Sequence, residues 1–525
     1  MELSELAWYL VVILLLLIFL VIEYARWNYG ILEQLGIPVV RPSFIFGSDP
    51  QGYRKVQHLE DYRRFKEFGS FYGFYEGRTP QVHICDPELV KQILIRDYDS
   101  FSERKHFNLG NPIANEILDF QPEAKWKYMR AVMTPLFAPS RIRLMSEILQ
   151  SITEEHVENL KTKFVSGSNK NSMKFEFRSY LGSLLTDVIG RCYLNITFND
   201  RLEPNSHFLE LLKELIREYS DYDIKHELVR SFPFLTWLHP IMPSKALSQF
   251  KSTLLNIITA RKTSSTSPST KKSNDLAQGL HDLLSKIDQH QPDIKSLGIN
   301  ENTAVALALE AFLATFDSVG NPLCFLAYFL AKNPQVQDKL IKEIDDVFGR
   351  ISQDDQKMSS TENIFHEMKY LQACIQEMFR MIPPFFRLER ECTKDWRNEE
   401  RSLSIKKGMV VVIPVWPLNR HPDHYIKPDE FIPERFLNQE NNNNNNKTNN
   451  PYAFATFGHG PKNCVGQKWS YEMSAIIMAT FLKQFKFQLP NNEDSIKWKE
   501  GSSFILKFEP IALEIVRRGD VHNET

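Results

Sequence analysis

Leu6 to Ile22 reads LAWYLVVILLLLIFLVI, seventeen residues without a charge. As a helix this run measures roughly 25 Å, close to a thin hydrocarbon core of about 27 Å. A cleavable signal peptide carries a basic start, a shorter apolar stretch and small residues at a cleavage site. Here the start is acidic (Glu2, Glu5) and no such site follows. Arg26, Arg41, Arg54 and Lys55 all lie after the span, and the positive-inside bias leaves them, with the body of the chain, in the cytoplasm. A buried helix of a soluble protein fits terminal placement and uniform apolarity less well. Residues 1–29 are expected to be an uncleaved membrane anchor with its span at 6–22, and residues 30–525 one large body.

Long apolar periodicities dominate that body, from Arg141, from Asn302 and from Met368, and predict helices. Strand-like pieces are fewer: SFYGFYEGRTPQVHICD near Ser70, KGMVVVIPVWP near Lys407 and FKFQLP near Phe485. The fold class is therefore mainly α with small β-sheets. Low-complexity tracts at 263–275 and 438–450 are expected to be flexible surface loops, and neither divides the body into domains. With 63 Lys+Arg against 65 Asp+Glu, the near-neutral charge favours no nucleic acid. The six cysteines form no CxxC and no Cys/His cluster, which disfavours a disulfide framework, a zinc site and covalent haem attachment. Five read as small buried hydrophobes.

Cys464 is different. It lies in TFGHGPKNCVGQKWS, bracketed by Gly458, Gly460 and Gly466 and followed by an apolar helical run. Glycines let the backbone turn sharply and approach a flat ligand, and they allow amide N–H groups to face the sulfur. A helix starting just beyond adds its positive end, so the thiol pKa is expected to fall, as suits a nucleophile or soft metal ligand. Four further pieces stand in order along the chain: WKYMR, with Trp126 and Arg130 on one helix face; ATFDSVGNP inside a long apolar helix; EMFR, with Glu377 and Arg380 one turn apart; and FIPERF, with Arg435. With the cysteine loop they make the sequence resemble the cytochrome P-450 superfamily, the haem-thiolate monooxygenases, from about Gly36 to Val516.

The resemblance implies that Cys464 is the axial ligand of haem b iron, its thiolate favouring O–O cleavage. It places Phe457 near the sulfur and gives Trp126, Arg130 and Arg390 to the haem propionates. The family usually has arginine or histidine two residues before the cysteine. This chain has Lys462, expected to meet a propionate as a point charge without the planar fork. Glu377, Arg380 and Arg435 match a buried structural ion-pair triad. Asp317 and Ser318 match the acid and hydroxyl that relay protons on the oxygen side, with Ser318 replacing threonine and Thr315 replacing a helix-loosening glycine. Because Pro322 cannot donate to the Ser318 carbonyl, the helix is expected to open there.

Substrate contacts are expected from Phe101–Phe120, Phe312, Phe316 and Ile382–Leu388, and entry from the apolar stretch Ser231–Met242. No G-x-G-x-x-G turn is present, so electrons come from another protein. By the resemblance this is a membrane-bound NADPH–cytochrome P-450 reductase, with cytochrome b5 as a second donor and Lys125, Lys127 and Lys468 as a docking face. The implied activity inserts one atom of O2 into a hydrophobic substrate at the endoplasmic reticulum membrane. The competing readings are a haem-thiolate isomerase or dehydratase acting on peroxides and a non-catalytic haem-binding protein; the Asp317–Ser318 pair argues against the first.

Overall fold

The computed structural model describes residues 3–166, 172–197, 207–237, 241–242, 244–264, 275–353, 361–437, 450–490, 496–502 and 504–519. The helices that matter for the site are α1 (Leu3–Arg26), α2 (Glu123–Met133), α3 (Pro139–Ser166), α4 (Phe177–Val188), α5 (Glu301–Lys332), α6 (Lys369–Met381) and α7 (Gln467–Leu482). The strands are β1 (Phe71–Glu76), β2 (Thr79–Ile84), β3 (Ser172–Phe175), β4 (Arg387–Glu391), β5 (Trp396–Asn398), β6 (Leu403–Ile405), β7 (Val410–Pro414), β8 (Phe485–Gln488) and β9 (Leu513–Arg517). They form a four-stranded sheet ordered β1-β2-β7-β4, a three-stranded sheet β3-β9-β8 and the pair β5-β6. Among these strand pairs, β2 and β7 run parallel and the others antiparallel. The three expected helices and three expected strand regions all form.

Helix α5 organises the core. Asn300 caps it: its side chain accepts from the Asn302 N–H at 2.9 Å, and Thr303 Oγ1 accepts from the Asn300 N–H at 3.1 Å. Its sequence is apolar on every side, which is the pattern of a helix surrounded by protein. Among the described residues two segments are long and apolar enough to cross a membrane, and burial separates them: 83% of the apolar window in Glu301–Lys332 is inside, against 0% for Glu5–Gln34.

The expected opening at Pro322 does not occur. Helix α5 continues in α geometry through Ala314–Asn321, because packing along its whole length holds the turn that lacks a donor. At the first low-complexity tract, a helix runs from Ser244 to Ser264 and Asp275 caps the next one. Residues 265–274 and 438–449 lie outside the described residues.

Candidate active site

Cys464 reaches the interior on a loop with strict backbone requirements. Gly458 and Gly460 take φ values of +67° and +72°, where a side chain is strained. A Cβ on Gly460 would also run into the Leu94 carbonyl. The chain then closes on itself: Gly458 N–H donates to Ala455 O at 2.9 Å, Asn463 N–H to Gly460 O at 3.1 Å and Cys464 N–H to Phe457 O at 2.8 Å. The Phe457 ring packs on Phe379 and Tyr471, with centroids 5.0 and 5.3 Å away. Gly466 is the N-cap of α7.

Backbone N–H groups of Gly466 and Gln467 face the sulfur, and Arg130 adds positive charge. Even so, burial dominates and the Cys464 thiol stands above its ordinary pKa. The expected fall is therefore corrected for the protein alone; a coordinated cation reverses the sign by deprotonating the thiol outright. Among the free cysteines, Cys85, Cys192, Cys324, Cys374 and Cys392 are buried and Cys464 is exposed. A thiol that is accessible yet desolvated by its surroundings opens into an interior space rather than outward.

Helix α5 opens in the same manner. From Thr303 to Ala331 every residue is buried except Glu310, Ala314 and Ser318, which are spaced by four and so share one face. Arg130 feels both Cys464 and Glu310 electrostatically. Tyr193, within range of Cys464, shares a 2.8 Å hydrogen bond with Thr315 Oγ1. The sulfur and the open stripe thus belong to one neighbourhood.

Of the two expected relay residues, only Ser318 lies on the stripe. Its hydroxyl donates back to the Ala314 carbonyl. Asp317 is buried and ion-paired with Arg178 of α4, and burial raises its pKa while Arg178 opposes the rise. Phe312 and Phe316 point away from the stripe. The first packs on Tyr193 and Phe250, and the second lies under Arg178. The expectation that they contact substrate is corrected, since both sit on the packed faces of α5. Phe101 and Phe386 are likewise fully buried, whereas Phe107, Phe120, Phe385 and Leu388 keep partial exposure.

At the loop's other side, cations gather. Arg130 Nη1 donates to Asn463 O at 2.9 Å. Lys462 Nζ lies 3.1 Å from Glu123 Oε2, at ion-pair distance but without hydrogen-bond alignment, and 4.6 Å from the Trp126 ring centroid. Burial and neighbouring arginines pull its pKa down to about 8, against the opposing pull of Glu123. Arg390, buried on β4, is pushed down to about 9 by burial and Arg104; its Nε has no hydrogen-bond partner. Arg104 bonds to the Lys462 carbonyl at 3.4 Å and pairs with Asp119. Sequence reasoning missed Arg104, Glu123, Tyr193 and Glu310, which carry no local motif and meet the site only through the fold.

The structural triad forms as expected. Arg380 donates to both Glu377 oxygens at 2.7 and 2.8 Å, and Arg435 Nε donates to Oε1 at 3.1 Å. Arg380 Nη1 also donates to Asn419 O at 3.0 Å, and Asn419 holds the Ala455 N–H just before the loop at 3.1 Å.

This donor set suits a flat metal-bearing group with two carboxylates. One accessible sulfur supplies a soft ligand, and Arg104, Arg130, Arg390 and Lys462 outnumber their acids Glu123 and Asp119. Two buried nitrogens, Arg390 Nε and Lys462 Nζ, lack an aligned acceptor. Among the described residues no group of three His, Cys, Asp or Glu could hold a metal ion instead.

Comparison with known proteins gives a matching picture. The family model described as Cytochrome P450 matches residues 37–515. The chain is 30% identical over 518 residues to Cytochrome P450 3A29 of Sus scrofa, covering 97% of this chain and 96% of that protein. It is 28% identical over 509 residues to Cytochrome P450 3A40 of Oryzias latipes (96% of each). With Cytochrome P450 3A9 of Rattus norvegicus the identity is 29% over 526 residues, 98% of this chain and 97% of the relative.

Proposed function

The chain belongs to the cytochrome P450 family and is a haem-dependent monooxygenase, and on that premise we propose that it inserts one atom of O2 into a hydrophobic substrate bound along the open face of α5. The observation that carries this reading is the accessible, interior-facing sulfur of Cys464 in the neighbourhood of Glu310, Ala314 and Ser318. Cys464 would hold haem b through its iron, and the bound group would supply the chemistry of O–O cleavage.

The chain's own residues do the remainder. Trp126, Arg130, Arg390 and Lys462 would hold the propionates, with Arg104 added by its place in the same cluster. Phe457 shields the sulfur from water beneath its aromatic neighbours Phe379 and Tyr471. Ser318 Oγ faces the reacting space and passes protons by water, and Asp317 resupplies them. Asp317 is paired with Arg178 and must break that pair before its carboxylate can take up and pass on a proton, so Arg178 governs delivery.

Electrons come from a separate NADPH reductase, with cytochrome b5 as a second donor. The docking face narrows to Lys127 and Lys468, because Lys125 turns inward to Glu116 at 2.5 Å. Residues 1–29 anchor the protein once in the endoplasmic reticulum membrane with the body, 30–525, on the cytoplasmic side. Beside the anchor lie the exposed side chains Phe234 and Trp237, and Tyr24 stacks on Phe232 and meets Phe234 edge-on, with centroids 6.2 and 6.0 Å away. Residues 238–240 of that expected entrance lie outside the described residues.

The test is the absorption spectrum of the reduced protein under carbon monoxide. A thiolate-type Soret band in the wild type, lost in Cys464→Ser, is the expected result; a band of the histidine-ligated kind overturns the reading. With reductase present, Ser318→Ala should separate NADPH consumption from product formation by about 10-fold or more.

A further inference from the structure

The open stripe of α5 carries a carboxyl that no relay or cofactor role uses. Glu310 lies one turn before Ala314 and two before Ser318 on the only unburied line of the helix between Thr303 and Ala331. Its Oε2 accepts from the Leu118 N–H at 2.8 Å, which fixes the side chain's direction. Oε1 has no hydrogen-bond partner among the described residues. An acid in such a place is costly unless something compensates it. The cations near enough to matter are Arg104 and Arg130. Arg104 is already paired with Asp119, and Arg130 is turned to the Asn463 backbone and side chain at 2.9 and 3.3 Å.

Resting on the reading of this space as the substrate site, we propose that Glu310 is a specificity-determining residue whose free carboxylate oxygen selects hydrophobic substrates bearing a cationic nitrogen. The open face beyond Ala314 takes the body of the molecule, and the carboxylate takes the charge about one helical turn away. The backbone bond to Leu118 holds the carboxylate in place before the ligand arrives, so little ordering remains to be done on binding. Burial holds the free carboxyl up at about 7. A cation beside it therefore stabilises the ionised form, which the interior alone disfavours.

The probes are a phenylalkyl trimethylammonium ion, which cannot coordinate iron, and its tert-butyl isostere, which has the same shape without charge. Each is titrated at pH 8 into the full-length haem-loaded protein, and binding is read from the Soret shift. Wild type is expected to bind the ammonium about 10-fold or more tighter than the isostere. Glu310→Gln keeps an acceptor for Leu118 and removes the charge. It should erase that preference while changing affinity for the neutral probe less than about 3-fold. Equal binding of the two probes by wild type overturns the proposal without any variant, and so does a preference that survives in Glu310→Gln. Failure of the underlying reading looks different: the wild type then lacks a thiolate-type carbon monoxide spectrum before any probe is added.

Discussion

A buried ammonium wedged between an indole face and one carboxylate has little freedom left. Lys462 is in that position, with Trp126 on one side and Glu123 on the other. Arginine there gains a planar fork and stays charged, whereas Lys462 is drawn down to about 8. Lys462→Arg is expected to change the half-life of haem release, or the midpoint potential, by a few-fold equivalent; if neither moves, Lys462 takes no part in holding a propionate. Glu310 offers a pH-dependent counterpart. Its carboxyl is raised from 4.5 to about 7 by burial, so folding is favoured while it is protonated. The unfolded chain ionises first as pH rises, and the contribution present below about 4.5 is lost on passing through about 7. Glu310→Gln should match wild type in chemical denaturation near pH 5. It should exceed wild type near pH 8, by no more than about 3 kcal/mol; a constant difference across that range contradicts the assignment. Cys464, Trp126 and Arg130 could be read from local motifs, but Glu310 could not. Its function depends on which face of a largely apolar helix stays open, and a few scattered polar residues do not mark that face in the sequence.

Helix α5 and helix α7 are joined by a buried polar chain through Thr315, Tyr193 and Trp469. Thr315 stands where the family pattern has glycine, and its hydroxyl donates to the Ala311 carbonyl at 2.8 Å while meeting Tyr193 Oη at 2.8 Å. Trp469 Nε1 of α7 donates to the same phenol at 3.0 Å. The threonine thus stiffens a turn that glycine would loosen, and it ties that turn to the helix following the cysteine. Tyr193→Phe leaves the buried Trp469 Nε1 without an acceptor, while Thr315 keeps its bond to Ala311, and should cost about 1–3 kcal/mol in denaturant unfolding. A double-mutant cycle with Trp469→Phe should give a coupling near 1 kcal/mol, and zero coupling means the chain is only apparent. The triad around Glu377 is more demanding, since removing one partner leaves a buried charge at about 3–5 kcal/mol. Glu377→Ala is expected to give protein that does not retain haem, visible as absent Soret absorption; a stable, loaded variant contradicts it. The long helices and the β1–β2, β7 and β8 strands were legible because their periods are strong. β4, with its charged RLERE sequence, was not: Arg387 pairs with Asp61 and Arg390 brings charge to the cysteine loop, against the usual strand composition.

The N-terminal helix and the body meet through aromatic rings rather than a flexible joint. Tyr24 stacks on Phe232 and meets Phe234 edge-on, Arg78 lies 4.1 Å from the Tyr24 ring centroid, and Ala25 is buried. The helix leaves the body beside a set of exposed hydrophobics: Trp27 at 76%, Phe44 at 62%, Phe234 at 56% and Trp237 at 77%. Exposed apolar side chains gathered at one place mark a surface meant to be covered, and lipid is the cover that the adjoining helix dictates. The body itself is therefore expected to touch the membrane. Deleting residues 3–20 removes most of the apolar run but keeps Tyr24 and Ala25 in their packing. That truncated protein should load haem normally and still sediment with neutral lipid vesicles. Adding Phe234→Ser and Trp237→Ser should weaken vesicle binding by about 10-fold or more, since each ring contributes roughly 1.5–3 kcal/mol when buried. The carbon monoxide spectrum should not change, because both rings stand far outside the packing around Cys464. If the truncated protein remains wholly in solution, the surface is covered by something other than lipid and α1 alone makes the attachment. If the serine pair abolishes haem binding, the rings belong to the body's packing, and their exposure has been misread.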